Sequence, residues 1–359
     1  MGVFNTLFSL MMLFPTITPI IPMVEETMQP QIEIMVVGDI MMHTPVTNAG
    51  YNPVTKEYNY DTYFDEVKSI FAQADWVIGN LETPLAGQAM GYNGYPRFNA
   101  PMEIAQSLKE AGVDVLTTAN NHSLDQFEKG LVKTLDHLDE LEILHTGTFR
   151  TEEERNKPLI LEKKGISIGV IAYTYGTNGI PLPKNKPYMV NVYNLEKIKE
   201  DLKKLEEAEV DYIVAMIHYG DEYQRFPSET QKQWTSELME LGVDFVLGSH
   251  PHVVQPLEIL NGKGVIYSLG NFISDQRWEW KDYGTILYLH LQKDAIKNRV
   301  ELVEADAIPT YVLKTRTQGK INYRILPLKE KNPLIEEEVW LKGQELFEHI
   351  FGIKKITSN

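Results

Sequence analysis

The chain contains no cysteine. That excludes disulfides, thiolate metal sites and lipoprotein acylation, so any metal must be held by His, Asp, Glu or Asn. Positive charge is scarce: 34 Lys and Arg stand against 50 Asp and Glu, a formal net charge of −16. Such a balance lacks the electrostatic footprint of a nucleic-acid binder and disfavours nonspecific adhesion to anionic membranes. Any anionic substrate must therefore meet locally placed cations. What is present is a globular composition, 43% apolar over 359 residues, enough for one large α/β domain or two smaller ones.

The N-terminus lacks several marks of an export signal. No Lys or Arg precedes its apolar stretch, Val3 to Val24, no A-x-A site follows it, and Pro15, Pro19 and Pro22 would interrupt a helix. The stretch is nevertheless close to the length of a membrane span. It is read as an export signal or membrane anchor that sends the rest of the chain to the outer face of the cell membrane, with a disordered or partner-covered extension as the alternative. Residues 1–30 are thus set apart from a main domain at 31–330, which the acidic linker "EETMQPQ", Glu25 to Gln31, leads into. A C-terminal helix at 331–359 is expected to pack on that domain.

From Ile32 onward, short apolar runs alternate with amphipathic segments, the pattern of an α/β sheet protein. Strands are expected at Ile32–Val37, Trp76–Ile78, Val113–Thr118, Ser167–Tyr173, Tyr212–Ile217, Phe245–Leu247, Val265–Ser268 and Thr285–Leu291. Helices are expected at Tyr63–Ala72, Met102–Ala111, Phe127–Leu138, Leu195–Ala208, Pro227–Leu241 and Leu334–Phe351. "NGIPLPKNKPYMVN" is too rich in proline and glycine for either and reads as a long loop, a candidate lid.

A spacing recurs along these strands. Asp75 leads seven residues later to Glu82, Asp114 to Asn121 and Asp211 to His218. A strand of five or six residues carries each polar group to its carboxyl end, and the first strand delivers Asp39 in the same way. In open α/β sheets that edge is where loops splay apart and sites form. Five strand ends bearing Asp39, Glu82, Asn121 with His122, His218, and His250 with His252 point to one shared site. Carboxylates, an amide oxygen and neutral imidazoles suit Mn, Fe or Zn better than calcium. About six ligands exceed one tetrahedral site and point to two divalent ions, the arrangement that activates water against a phosphate ester.

"VVGDIMMH", "GNLETPL", "TTANNHSLD", "IHYGDEY", "LGSHPHVVQP" and "YSLGNFISDQ" resemble, in order, the motifs of the CapA-type poly-γ-glutamate capsule biosynthesis proteins of the calcineurin-like metallophosphatase superfamily. The resemblance implies an α/β fold, an αββα sandwich of two mixed β-sheets flanked by helices, with a dinuclear centre at the strand ends. It implies Asp39 and His252 at the first metal, Glu82 at the bridging position, and Asn121, His218 and His250 at the second. It implies His122 as the acid beside the metals, with Asp125 orienting it. Two departures stand out: Met41 replaces the usual ligand histidine of the opening motif, leaving His43 to reach back, and Glu82 replaces a bridging aspartate, with Asn80 upstream.

Weaker candidates for substrate contact are His43, Arg97, Glu222 and Arg225. The arginines would grip a carboxylate or phosphate unless they are simply solvated, and Glu222 supports His218 unless it only opens a helix. The expected function is a metal-dependent, hydrolase-like protein acting on an anionic polymer or phosphoester beside membrane-bound polymer synthase or export subunits, without nucleic acid. The alternatives are a metal-binding scaffold without catalysis and a cytosolic phosphoesterase.

Overall fold

The computed structural model describes residues 29–294 and 298–352; the apolar segment at 3–24 lies outside them. In chain order the first half comprises β1 (Gln31–Ile40), α1 (Thr44–Ala49), β2 (Tyr51–Asn52), β3 (Glu57–Tyr58), α2 (Asp65–Phe71), β4 (Trp76–Leu81), α3 (Glu103–Ala111), β5 (Val115–Thr117), α4 (Phe127–Glu140) and β6 (Leu144–Thr146). Then come α5 (Glu152–Asn156), β7 (Leu159–Lys163), β8 (Ile166–Thr174), α6 (Leu195–Glu207), β9 (Tyr212–His218), α7 (Glu229–Glu240) and β10 (Phe245–Ser249). The last part holds β11 (Leu257–Leu260), β12 (Lys263–Ile266), β13 (Asn271–Ile273), β14 (Tyr283–Asp294), β15 (Arg299–Thr317), β16 (Lys320–Pro327) and α8 (Glu337–Ile350).

Two mixed sheets form. One runs β16-β15-β14-β1-β4-β5-β6 with β13 beside β1, and the other runs β11-β12-β10-β9-β8-β7. Side chains alternate across each strand, so each sheet has two apolar faces to cover. Ile32, Ile34 and Val36 of β1 meet Ile168 and Val170 of β8 and Val214 and Met216 of β9 in the layer between the sheets. Met35 and Val37 face outward onto Val67 and Phe71 of α2, Leu108 of α3 and Leu135 of α4. Ile171, Ala215 and Val246 on the other sheet are covered by Ile198 and Leu205 of α6 and Leu238 of α7. This is the αββα sandwich.

The recurring aspartates set the register of the parallel strands. Each accepts the backbone N–H of a residue on the preceding strand: Asp75 from Glu33 at 3.0 Å, Asp114 from Val77 at 2.8 Å, Asp211 from Ser167 at 2.9 Å and Asp244 from Ile213 at 2.9 Å. Each also donates its own N–H back to the carbonyl of the same residue. A strand fixed at its amino end in this way delivers whatever stands seven residues later to the same opposite edge.

The expected strands and helices are all present, with ends shifted by a few residues. The loop at 175–194 carries no regular element. α8 lies on the domain, with Leu346 and Ile350 in the inter-sheet core and Gly343 packed against Leu328. Among the described residues, no helix is long and apolar enough to cross a membrane.

Candidate metal centre

Five strands bring their polar residues to one edge. Asp39 closes β1, Glu82 follows β4, Asn121 and His122 follow β5, His218 closes β9, and His250 and His252 follow β10; every one of these side chains is buried. Gly38 permits the approach, because a Cβ there would lie 1.9 Å from the Gly270 carbonyl oxygen, beside the Asp39 N–H bond to that same oxygen at 2.9 Å. His250 and His252 adopt φ of 100° and 59°, left-handed backbone that a non-glycine residue adopts at a cost. The bonds that hold them there are His250 N–H to Asp39 Oδ2 at 3.2 Å and Tyr223 N–H to the Pro251 carbonyl at 2.8 Å.

The side chains interlock. His252 Nδ1 lies 3.1 Å from Asp39 Oδ2, and His218 Nε2 lies 3.0 Å from Asn121 Oδ1 and 3.4 Å from Glu82 Oε1. Asn80 donates to Asp39 Oδ1 at 2.8 Å and accepts from Asn120 at 3.3 Å, which ties β1, β4 and the loop after β5 together. Three sets of ligand atoms each fall within 4.8 Å of one another: Asp39–Glu82–His252, Glu82–His218–His250 and Glu222–His250–His252. Glu82, His250 and His252 each belong to two of them.

The arrangement leaves some of its polar atoms without partners. Both carboxylate oxygens of Glu82 and Nδ1 of His250 are buried without a hydrogen bond. Buried polar atoms are nearly always paired, so three orphans in one cluster fit a cation that accepts their lone pairs. The titration behaviour agrees. Burial, reinforced by the Asp39 carboxylate, holds Glu82 well above the usual carboxylate range. Burial pulls His218 down to about 3 and His250 to about 2, leaving both neutral and able to ligate. For His252 burial acts downward, but the Glu82 and Asp39 carboxylates overcome it and raise the ring to about 9. Burial would raise Asp39, yet the His252 hydrogen bond and charge hold it below its ordinary value.

His122 and Asp125 form a pair at the rim, Nδ1 to Oδ2 at 2.7 Å, and the same Oδ2 accepts the Phe98 N–H at 2.7 Å. Arg97 is exposed beside them, donating to the Asp125 carbonyl at 2.8 Å and lying over the Phe127 ring at 4.3 Å. His43 lies edge-on to Phe98, and Glu222 reaches the His250–His252 side of the cluster. Arg225 is not brought to the centre. Its guanidinium stacks on Trp280 at 4.1 Å and pairs with Glu345 of α8 at 3.5 Å, because its loop lies against the C-terminal helix. Met41 is buried in the core, and its backbone N–H donates to the Ile273 carbonyl at 2.9 Å.

Two participants were not singled out from the sequence. Asn120 packs next to the expected Asn121, and Tyr175 lies over the centre, its ring 4.8 Å from His250. Tyr175 directly follows β8, so the strand-end rule that found the others applies to it as well.

The match to the family described as bacterial capsule synthesis protein PGA_cap spans residues 33–276, which contain every residue of the centre. The chain is 30% identical to the PGA biosynthesis protein CapA of Bacillus subtilis (strain 168) over 301 residues, 81% of this chain and 76% of that one. It is 27% identical to the capsule biosynthesis protein CapA of Bacillus anthracis, covering 81% of this chain and 71% of that one. Among solved structures, the calcineurin-like phosphoesterase YfkN from Bacillus subtilis is 16% identical with a TM-score of 0.48, covering 89% of this chain and 98% of that one. By the family match over most of its length and the 30% identity to the Bacillus subtilis protein, the chain belongs to the PGA_cap family of bacterial capsule synthesis proteins.

Proposed function

We propose that this chain is a metal-dependent, hydrolase-like protein that holds a pair of divalent transition-metal ions and acts in making or exporting an anionic cell-surface polymer, a poly-γ-glutamate capsule. The observation that carries the metal reading is the trio of orphaned buried atoms, Glu82 Oε1, Glu82 Oε2 and His250 Nδ1. The names of the two Bacillus relatives support the polymer reading. Asp39 and His252 would hold one ion, Asn121, His218 and His250 the other, and Glu82 both.

Bound there, the metals would polarise a substrate oxygen and lower the pKa of a water. The protein's own part begins with Asn80, which keeps Asp39 oriented. The Asp125 carboxylate accepts the Nδ1 proton of His122 and so steers Nε2 toward the substrate; in the imidazolium form Nε2 carries the second proton, which passes to the leaving oxygen and leaves the neutral ring. A ligand centre without catalysis has no need of such an oriented acid. Met41, buried where a ligand histidine would stand, favours the rival reading of a metal-binding scaffold beside a polymer synthase or exporter. The apolar segment at 3–24 would carry the domain to the outer face of the membrane.

The test is restoration of polymer in a strain lacking the gene. Wild type restores it and Asp39→Asn does not; if His122→Ala restores it fully, the scaffold reading replaces the enzyme. Protease added to intact cells tests location, and full protection until lysis would contradict an external domain.

A further inference from the structure

His43 and His122 share one aromatic ring. Phe98 meets His43 edge-on at 5.2 Å between centroids and His122 edge-on at 4.7 Å, and His43 also lies within electrostatic reach of His122 and His252. Their Nδ1 atoms have opposite kinds of partner. His122 Nδ1 faces the Asp125 carboxylate at 2.7 Å, a group that only accepts, so this nitrogen carries a proton. His43 Nδ1 faces the backbone N–H of Asp275 at 3.3 Å, a group that only donates, so this nitrogen carries a lone pair.

A neutral imidazole has one proton to place. For His43 it therefore sits on Nε2, and a protonated nitrogen cannot bind a cation. The arrangement is firmly anchored, because the Asp275 carboxylate is gripped by Lys314 and by the Tyr323 hydroxyl, each at 2.6 Å. In keeping with it, His43 belongs to none of the ligand clusters among the described residues. Neither His43 Nε2 nor His122 Nε2 is among the buried unpartnered atoms.

We infer that His43 is a neutral hydrogen-bond donor to substrate rather than a metal ligand, and that its Nε2–H works with His122 Nε2 to seat a tetrahedral oxyanion. One non-leaving oxygen of that group accepts from His43, while the ester oxygen faces His122. A donor held in place before the reaction stabilises charge on the oxyanion without having to reorient. The oxyanion part rests on the proposed function; the proton position does not.

The test uses the full chain labelled with 15N at histidine, its ring-nitrogen signals assigned with His43→Gln. His43 should show an unprotonated Nδ1 and a protonated Nε2, with or without metal, and His122 a protonated Nδ1. The Met41 carbonyl also lies near the His43 ring, and a proton found on Nδ1 in its direction would overturn the inference. In metal-loaded protein, His43→Leu should keep the wild-type metal content while inorganic phosphate binds about ten- to a hundred-fold more weakly. His43→Gln, whose side-chain amide restores a donor near the Nε2 position, should stay within several-fold of wild type. Loss of one ion per chain in both variants would make His43 a ligand, and unchanged phosphate affinity in His43→Leu would overturn the oxyanion role. A metal-free wild type would remove the proposed function, leaving the nitrogen spectrum to decide the proton position alone.

Discussion

The side-chain amide of Asn80 donates to Asp39 Oδ1 at 2.8 Å across two neighbouring parallel strands, β4 and β1. One neutral donor thus neighbours a fully buried carboxylate. Replacing it by a carboxylate would remove the bond and set like charges side by side. Asn80→Asp should therefore lose about 1–3 kcal/mol of stability in chelator and recover it when divalent metal is added. Thermal unfolding with and without metal checks this, and the metal-induced rise in Tm should exceed that of wild type.

The register-setting aspartates make a separate prediction. Burial raises the Asp114 carboxyl above its ordinary value even though it accepts the Val77 N–H. Asp114→Ala leaves that N–H unpaired and should cost about 1–3 kcal/mol. Asp114→Asn keeps an accepting oxygen without burying a charge and should cost less. Urea unfolding at neutral pH distinguishes the two.

The same aspartates explain how much of the fold could be read from the sequence. The seven-residue spacing from Asp75 to Glu82 is a hydrogen-bonded strand start followed by an extended run that crosses the sheet, so spacing alone predicted a common edge. The β15–β16 hairpin was not legible. β15 mixes buried residues with exposed charges and contains Pro309, which resembles a broken polar segment until β14 pairs with its first part and β16 with the rest. The direction taken by Arg225 was also hidden, since it depends on Trp280 and on Glu345 of α8, which are distant in sequence. Asn80 read as a missing aspartate, and only the contact with Asp39 shows its use.

Stability of the metal-free protein should peak near pH 6.5. His218 and His250 have their pKa values depressed to about 3 and about 2 from 6.5, so the unfolded state takes up their protons first and stability falls as pH drops below 6.5. His252 is raised to about 9; its contribution is complete below 6.5 and is lost as pH rises through about 9. Metal ligation must displace the His252 proton, so affinity should increase with pH up to about 9. Denaturation midpoints in chelator across pH 5.5 to 9.5 check the first claim. Calorimetric metal titrations in buffers of different ionisation enthalpy check the second.

His122→Ala and Asp125→Ala should separate metal binding from turnover. Neither residue belongs to a ligand cluster, so metal content should stay at the wild-type level. Phosphoester hydrolysis should fall by about a hundred- to ten-thousand-fold in His122→Ala and by less in Asp125→Ala, which leaves the imidazole in place without its orienting partner. Asp39→Asn should lower metal content and rate together.

Elemental analysis of chelator-free protein shows directly whether the strand-end cluster holds metal. Wild type should carry about one to two transition-metal ions per chain, and a His250→Ala, His252→Ala double variant that still folds should lose most of them. A wild-type protein free of metal, with its unfolding curve unchanged by added Mn, Fe or Zn, would contradict the account.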